Sequence, residues 1–162
     1  MADQPDLEAV NIEMPEMVAM TLKSVLADQP VWFAANSSAE GDKKKGLWLQ
    51  GIEDNADLFG IDFSINKADT LAYDDGTPDH AMVITGVDVR AGKPVKWKVE
   101  NSWGKDAGNE GWFIIDQPWF DQHVFQVIID RRFVPRSLLA LTSQKPILLP
   151  PWDPFTDWAP GQ

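Results

Sequence analysis

Apolar positions along the chain follow two different periods. Between residues 14 and 28, Met14, Met17, Val18, Thr21, Leu22, Val25 and Leu26 recur every three or four positions, which predicts an amphipathic helix. Glu16 near its start and Lys23 nearer its end suit the helix dipole. "PVWFAA" (30–35) is short and wholly apolar, as a buried strand would be. The polar patch "NSSAEGDKKKG" and the turn formers that close residues 60–79 predict loop, with room for one helical turn in 36–60. From residue 80 the period becomes two. "HAMVITGVDV" (80–89), the Gly/Pro turn "RAGKP" and "VKWKVEN" (95–101) predict a hairpin, while "GWFIID" and "VFQVIID" add two strands around a helical turn, "QPWFDQH". Four successive strands with short links predict an antiparallel sheet curled into a small barrel. "PRSLLALTSQ" reads as a short helix, and "KPILLPPWDPFTDWAPGQ" as an extended Pro-rich tail. The fold class expected is α+β, with residues 1–135 forming a lobe and 136–162 a helix and tail.

Composition narrows this picture. At 162 residues with 44% hydrophobic content, the chain suits one domain with a proper core, to which most of its eight tryptophans should contribute. A formal charge of −11 argues against nucleic acid and anionic membranes as partners, both of which need a basic footprint. No apolar run approaches the ~20 residues of a membrane span. The acidic start lacks the layout of a signal peptide, and the complete lack of Cys fits a reducing cytoplasm, so cytoplasmic location is expected. Two histidines without cysteine or clustered carboxylates make a poor metal cage; no metal or cofactor is expected.

The chemistry centres on "VKWKVENSWG". Asn101 sits where a strand passes into a loop, a usual place for a side chain that chemistry needs. His80 opens the other arm of the hairpin. Each arm holds about ten residues counted from the turn, so the two are expected to be close cross-strand neighbours. An Asn oxygen accepting from one imidazole nitrogen fixes the tautomer and aims the other nitrogen at a reacting group. That is the oriented base of a nucleophilic hydrolase without its nucleophile. The competing reading is a structural or solvated histidine at a strand edge. Trp103 is close enough to roof the pair. His123, in "FDQHVF", is expected at the surface or in packing.

"HAMVITGVDV", "VKWKVENSWG", "GNEGWFIID" and "WFDQHVFQVIID" resemble the C-terminal half of the bleomycin hydrolase and aminopeptidase C family, papain-like cysteine peptidases with a Cys-His-Asn triad. "PVWFAAN", "LFGIDFSINKADTL" and "KPILLPPWDP" resemble landmarks of the same family in the same order, so the likeness runs from about residue 14 to about 155. It implies the C-terminal barrel lobe of a papain-like fold, with His80 as general base, Asn101 as its orienting partner and Trp103 as a shield over their hydrogen bond. It also implies peptide substrates. The family's nucleophilic cysteine and oxyanion-hole glutamine belong to an N-terminal lobe, and no segment resembling "Q-x-x-x-x-x-C-W" occurs here. The chain is therefore expected to be a fragment of a cysteine aminopeptidase that lacks its Cys-bearing lobe and is inactive alone, whether it comes from an incomplete or excised gene or from a split gene whose other half is a separate chain. The alternative is a non-catalytic binding or assembly module derived from that lobe. Relatives form ring-shaped hexamers, and an exposed groove wall would itself favour self-association. In the family the C-terminal arm runs into the groove; here the path is expected to be kept up to Trp152 and to become disordered beyond about residue 155.

Overall fold

A computed structural model describes residues 8–150, 152 and 153. Its first element is helix α1 (Met14–Leu26), which begins with Pro15 in its first turn, carries Glu16 there and has Lys23 in its last. These are the residues that helix starts and ends favour. Met17, Met20, Thr21, Ser24 and Val25 form its buried face, which packs on strands β1 (Val31–Ala35) and β4 (His80–Arg90). Thr21 Oγ1 donates back to the Met17 carbonyl at 2.8 Å, while Ser24 Oγ, the other hydroxyl in that face, is buried without a partner among the described residues.

Residues 36–79, expected to be loop, contain more order than that. Short strands β2 (Gly41–Asp42) and β3 (Leu47–Trp48) pair antiparallel, and helices α2 (Asn55–Phe59) and α3 (Lys67–Ala72) follow. Each helix has a side-chain cap: Asp54 accepts from the Asp57 N–H and Asn66 from the Asp69 N–H. These elements are too short to leave a periodic signature.

The hairpin β4–β5 (β5, Lys93–Glu100) turns through Ala91 and Gly92, both with positive φ (49° and 77°). A two-residue turn of that handedness matches strand twist. Strand β6 (Trp112–Asp116) continues the antiparallel ladder on β5, and helix α4 (Gln117–His123) leads to β7 (Val124–Ile128). Asp116 caps α4 by accepting from the Trp119 N–H at 2.9 Å, and Pro118 stands in its first turn. Helix α5 (Arg136–Leu141) precedes residues 145–150, which are irregular and exposed at Ile147 and Leu148.

The strand order is β2-β3-β6-β5-β4-β1-β7. Two features correct the expectation of four sequential antiparallel strands. Strand β7 does not pair with β6; α4 carries the chain across, and β7 adds beside β1 at the far edge. Strand β3 pairs parallel with β6, so the sheet is mixed. It curls around a core of Val31, Phe33, Met82, Ile84, Trp97, Val99, Phe113, Ile115, Phe120 and Val124, with Trp48 and Trp119 at its centre.

Tryptophan divides between core and surface. Trp48, Trp97 and Trp119 are fully buried, and burying an indole of roughly 200 Å² gains on the order of 5 kcal/mol. Trp32 and Trp152 are 56% and 83% exposed, so the expectation that the indoles are mostly core holds only in part. The path of the tail beyond residue 155 lies outside the described residues.

Candidate functional site

His80 is the first residue of β4 and pairs with Ala35, the last of β1. Asn101 follows the last residue of β5. The β4–β5 ladder ends at Val83 opposite Glu100, and one bulge on each strand leaves the overall register unshifted. Asn101 is therefore beside His80 but not directly opposite it. The side chains close the gap: His80 Nε2 lies 2.8 Å from Asn101 Oδ1. The Ser102 backbone N–H donates to the same oxygen at 2.7 Å. That second donor fixes which end of the carboxamide faces the ring, because the opposite orientation would set an NH₂ against an N–H. Nε2 must then be the protonated nitrogen, and Nδ1 carries the free lone pair. Asn101 Nδ2 is buried without a partner among the described residues, which costs about 1–3 kcal/mol.

Trp103 stacks on the imidazole, with ring centroids 4.9 Å apart and planes 22° from parallel. Behind it, Trp48 lies at 5.8 Å and Phe113 at 5.7 Å, both edge-on, and those two rings stack on each other at 4.5 Å. Trp103 is 36% exposed, so it is a rim residue held from the core side. The Lys43 ammonium lies 4.9 Å from its ring centre.

The loop carrying Trp103 is held at its base, where the Asn101 N–H donates to the Gly111 carbonyl at 3.1 Å. At Gly108 the backbone has φ +60°, and a Cβ there would lie 2.6 Å from the Trp112 carbonyl oxygen. Glycine is required at that close approach. The Gly108 N–H reaches the Lys43 carbonyl at 3.1 Å, which ties this loop to the β2–β3 turn.

The second histidine stands apart from this group. His123 ends α4, is 9% exposed and packs beside Trp119 at 5.1 Å. Neither ring nitrogen has a partner among the described residues. Burial, helped by the nearby Lys67 charge, lowers its pKa to about 4. This is packing, in line with the reading of the sequence. Lys67, in the first turn of α3, donates to the carbonyls of Asp121 and Val124 at the C-terminal end of α4 and lies 5.0 Å from the Phe125 ring centre. Burial lowers the ammonium to a pKa of about 8, and burial also raises the Asp121 carboxyl. A cation at a helix C-terminus is favoured by the dipole. Nothing in the local sequence pointed to this cap.

Sequence reasoning also missed Trp48, Phe113 and Lys43, the residues that hold Trp103. Trp48 lies in a two-residue strand, too short for alternation to reveal. The available signal was the apolar "GLWL" (46–49) inside an otherwise polar stretch.

With Nε2 engaged, the imidazole is a base of defined tautomer at Nδ1, and the sequence contains no thiol for it to activate. Comparison with known proteins supplies the context. The chain is 39% identical over 149 residues to aminopeptidase C of Lactobacillus helveticus, covering 90% of this chain and 33% of the relative. To bleomycin hydrolase of Gallus gallus it is 37% identical over 148 residues, covering 89% and 32%. The crystal structure of PepW from Lactobacillus rhamnosis HN001 superposes with a TM-score of 0.88 at 39% identity, covering 90% of this chain and 33% of that one. This protein thus spans about a third of the length of these relatives and corresponds to a partial region of an aminopeptidase C or bleomycin hydrolase. A family model described as Peptidase C1-like matches residues 1–156, and the chain belongs to that family.

Proposed function

We propose that this chain is the histidine-bearing lobe of a cysteine aminopeptidase, inactive alone and completed by a Cys-bearing lobe. The observation that supports this most is the Asn101 oxygen, fixed by Ser102 and 2.8 Å from His80 Nε2, which leaves Nδ1 as the basic nitrogen. In the completed site, Nδ1 takes the proton of the cysteine thiol, and the resulting imidazolium stabilises the thiolate. The thiolate attacks the peptide carbonyl, and the imidazolium then gives its proton to the leaving amine. Water, deprotonated by the same nitrogen, releases the acyl group. Asn101 keeps the ring and tautomer in place throughout, and Trp103 limits water access to their hydrogen bond.

Alone, the imidazole has neither a thiol nor the partner lobe's oxyanion donors, each worth roughly 10²–10³ in rate. The test mixes this chain with a separately prepared Cys-bearing lobe of an aminopeptidase C and follows an aminoacyl-coumarin substrate. Turnover is expected only in the mixture, lost in His80→Ala and lowered roughly 10²–10⁴-fold in Asn101→Ala. Turnover by the chain alone that His80→Ala abolishes would refute the proposal. The cytoplasm, a reducing compartment, suits a partner that must keep a free thiol.

A second reading, a binding or assembly module, draws on the exposed apolar groups Leu58, Phe59, Ile61 and Phe63. It is favoured if the mixture stays inactive while the chain forms a defined oligomer.

A further inference from the structure

We infer that Lys43 is a specificity-determining residue of the completed site: its ammonium, laid against the Trp103 ring, seats a carboxylate on the residue that follows the scissile bond. The substrates favoured are peptides with an acidic second residue, and dipeptides, whose terminal carboxylate falls on that residue. The inference rests on the proposed function and adds a residue outside the His80, Asn101 and Trp103 set.

Chemistry places the leaving residue on this lobe. A general acid must lie within hydrogen-bond reach of the atom it protonates, so the nitrogen expelled from the substrate departs beside His80. The ring that stands against the imidazole there is Trp103, stacked at 4.9 Å with planes 22° from parallel. Lys43 Nζ lies 4.9 Å from the centre of the same indole. Two steps of 4.9 Å set the ammonium no more than about 10 Å from the imidazole centre. The flexible four-carbon stem of a lysine lets its charge meet a carboxylate that arrives within that span.

The base of this side chain is fixed. The Lys43 carbonyl accepts from the Gly108 N–H at 3.1 Å, in the loop that carries Trp103. Asp42 Oδ1 accepts from the N–H groups of Lys44 and Lys45 at 3.1 and 3.0 Å. The Gly46 N–H closes the turn on the Asp42 carbonyl at 2.9 Å, and the Gly46 carbonyl accepts from the Ile114 N–H of β6 at 2.8 Å. The turn is thus anchored on both sides of Lys43. Its charge is also uncommitted. Asp42 pairs with Lys45 at 3.1 Å, and Lys43 forms no ion pair among the described residues. An indole face attracts an ammonium without using up its three N–H donors, which stay available to a carboxylate. A lysine that served only solubility would need neither the anchored turn nor the aromatic seat.

The first arm of the test uses this chain alone and needs no catalysis. Two nitroxides of similar size, the anionic carboxy-PROXYL and the neutral carbamoyl-PROXYL, are added in turn to ¹⁵N-labelled chain at low salt. The relaxation each causes is read at the Trp103 indole N–H, assigned by its loss in Trp103→Phe. On a chain of net charge −11 an anion is repelled from most of the surface. At Trp103 the anionic probe is expected to relax the proton at least about twofold more than the neutral one. Lys43→Gln should bring the ratio to unity or below, and Lys43→Arg should keep it. Lys93→Gln, at the far turn of the hairpin, should leave it unchanged. A ratio of unity or less in the wild-type chain overturns the inference, and so does an equal fall in Lys43→Gln and Lys93→Gln, the mark of net charge alone.

The second arm uses the mixture of the two lobes and compares leucyl-glutamyl-glycine with leucyl-glutaminyl-glycine. Lys43→Gln is expected to lower the glutamyl-to-glutaminyl ratio of kcat/KM about two- to fivefold, the scale of one exposed ion pair. An unchanged ratio overturns the inference. A mixture that cleaves neither peptide counts against the proposed function, while the first arm still decides whether Lys43 seats a carboxylate.

Discussion

Between pH 7 and pH 5 the unfolded chain takes up a proton at His123 that the folded chain refuses. The ring is 9% exposed, lies against Trp119 and has no hydrogen-bond partner for either nitrogen among the described residues. Its pKa falls from 6.5 to about 4, chiefly through burial and secondarily through the Lys67 charge. A base with a depressed folded pKa keeps its full stability above the unfolded value and loses stability as pH drops toward the folded one. The window is therefore pH 6.5 down to about 4. Across it stability falls by about 1.4 kcal/mol per unit, about 2 kcal/mol by pH 5 and about 3 kcal/mol in all. Against a total of ~5–15 kcal/mol this is a large fraction. Replacing the ring with an apolar side chain of similar volume removes the titration, and His123→Leu should match the wild type within about 1.5 kcal/mol at pH 7. Urea unfolding of both proteins from pH 7.5 to 4.5 gives the difference curve. Asp121, raised by burial, titrates in both proteins and drops out to first order. The expected result is a gap that opens by about 2 kcal/mol in favour of His123→Leu between pH 7 and 5. Parallel curves, or a His123 imidazolium signal by NMR in the folded protein at pH 6, would refute the reasoning.

Gly41→Ala forces a methyl to within 2.2 Å of Trp48 Cδ1 and displaces the indole that donates to Ser37; a loss of about 1–3 kcal/mol by urea unfolding is expected, and an unchanged midpoint would contradict it. The chain is also expected to self-associate through the Trp103 face or other exposed apolar groups such as Trp32 and Ile128, which are cross-strand partners on β1 and β7. Light scattering over a dilution series tests this. A monomer at every concentration, with no effect of Trp103→Ala, counts against it.

The amphipathic period of residues 14–28, the apolar run at 31–35 and the hairpin at 80–100 were legible because each signal is local and long enough to repeat. The pairing of His80 with Asn101 was legible as well, since a tight turn fixes register over a hairpin and brings the ends of its arms together. Three things were not. Nothing between β6 and β7 says that the second should cross to the edge beyond β1; strand order is settled by which faces bury best together, a property of the whole sheet. The β2–β3 ribbon and its parallel bridge to β6 involve pairs of residues only, below the reach of periodicity. The support of the site was also hidden. Trp48 and Trp103 belong to segments far apart along the chain, so their contact exists only after the sheet has curled. Sequence alone determined which residues carry the candidate chemistry, because a strand and its turn place them by counting. Tertiary structure decided what holds those residues still, because packing joins segments whose separation along the chain carries no information about their distance in space.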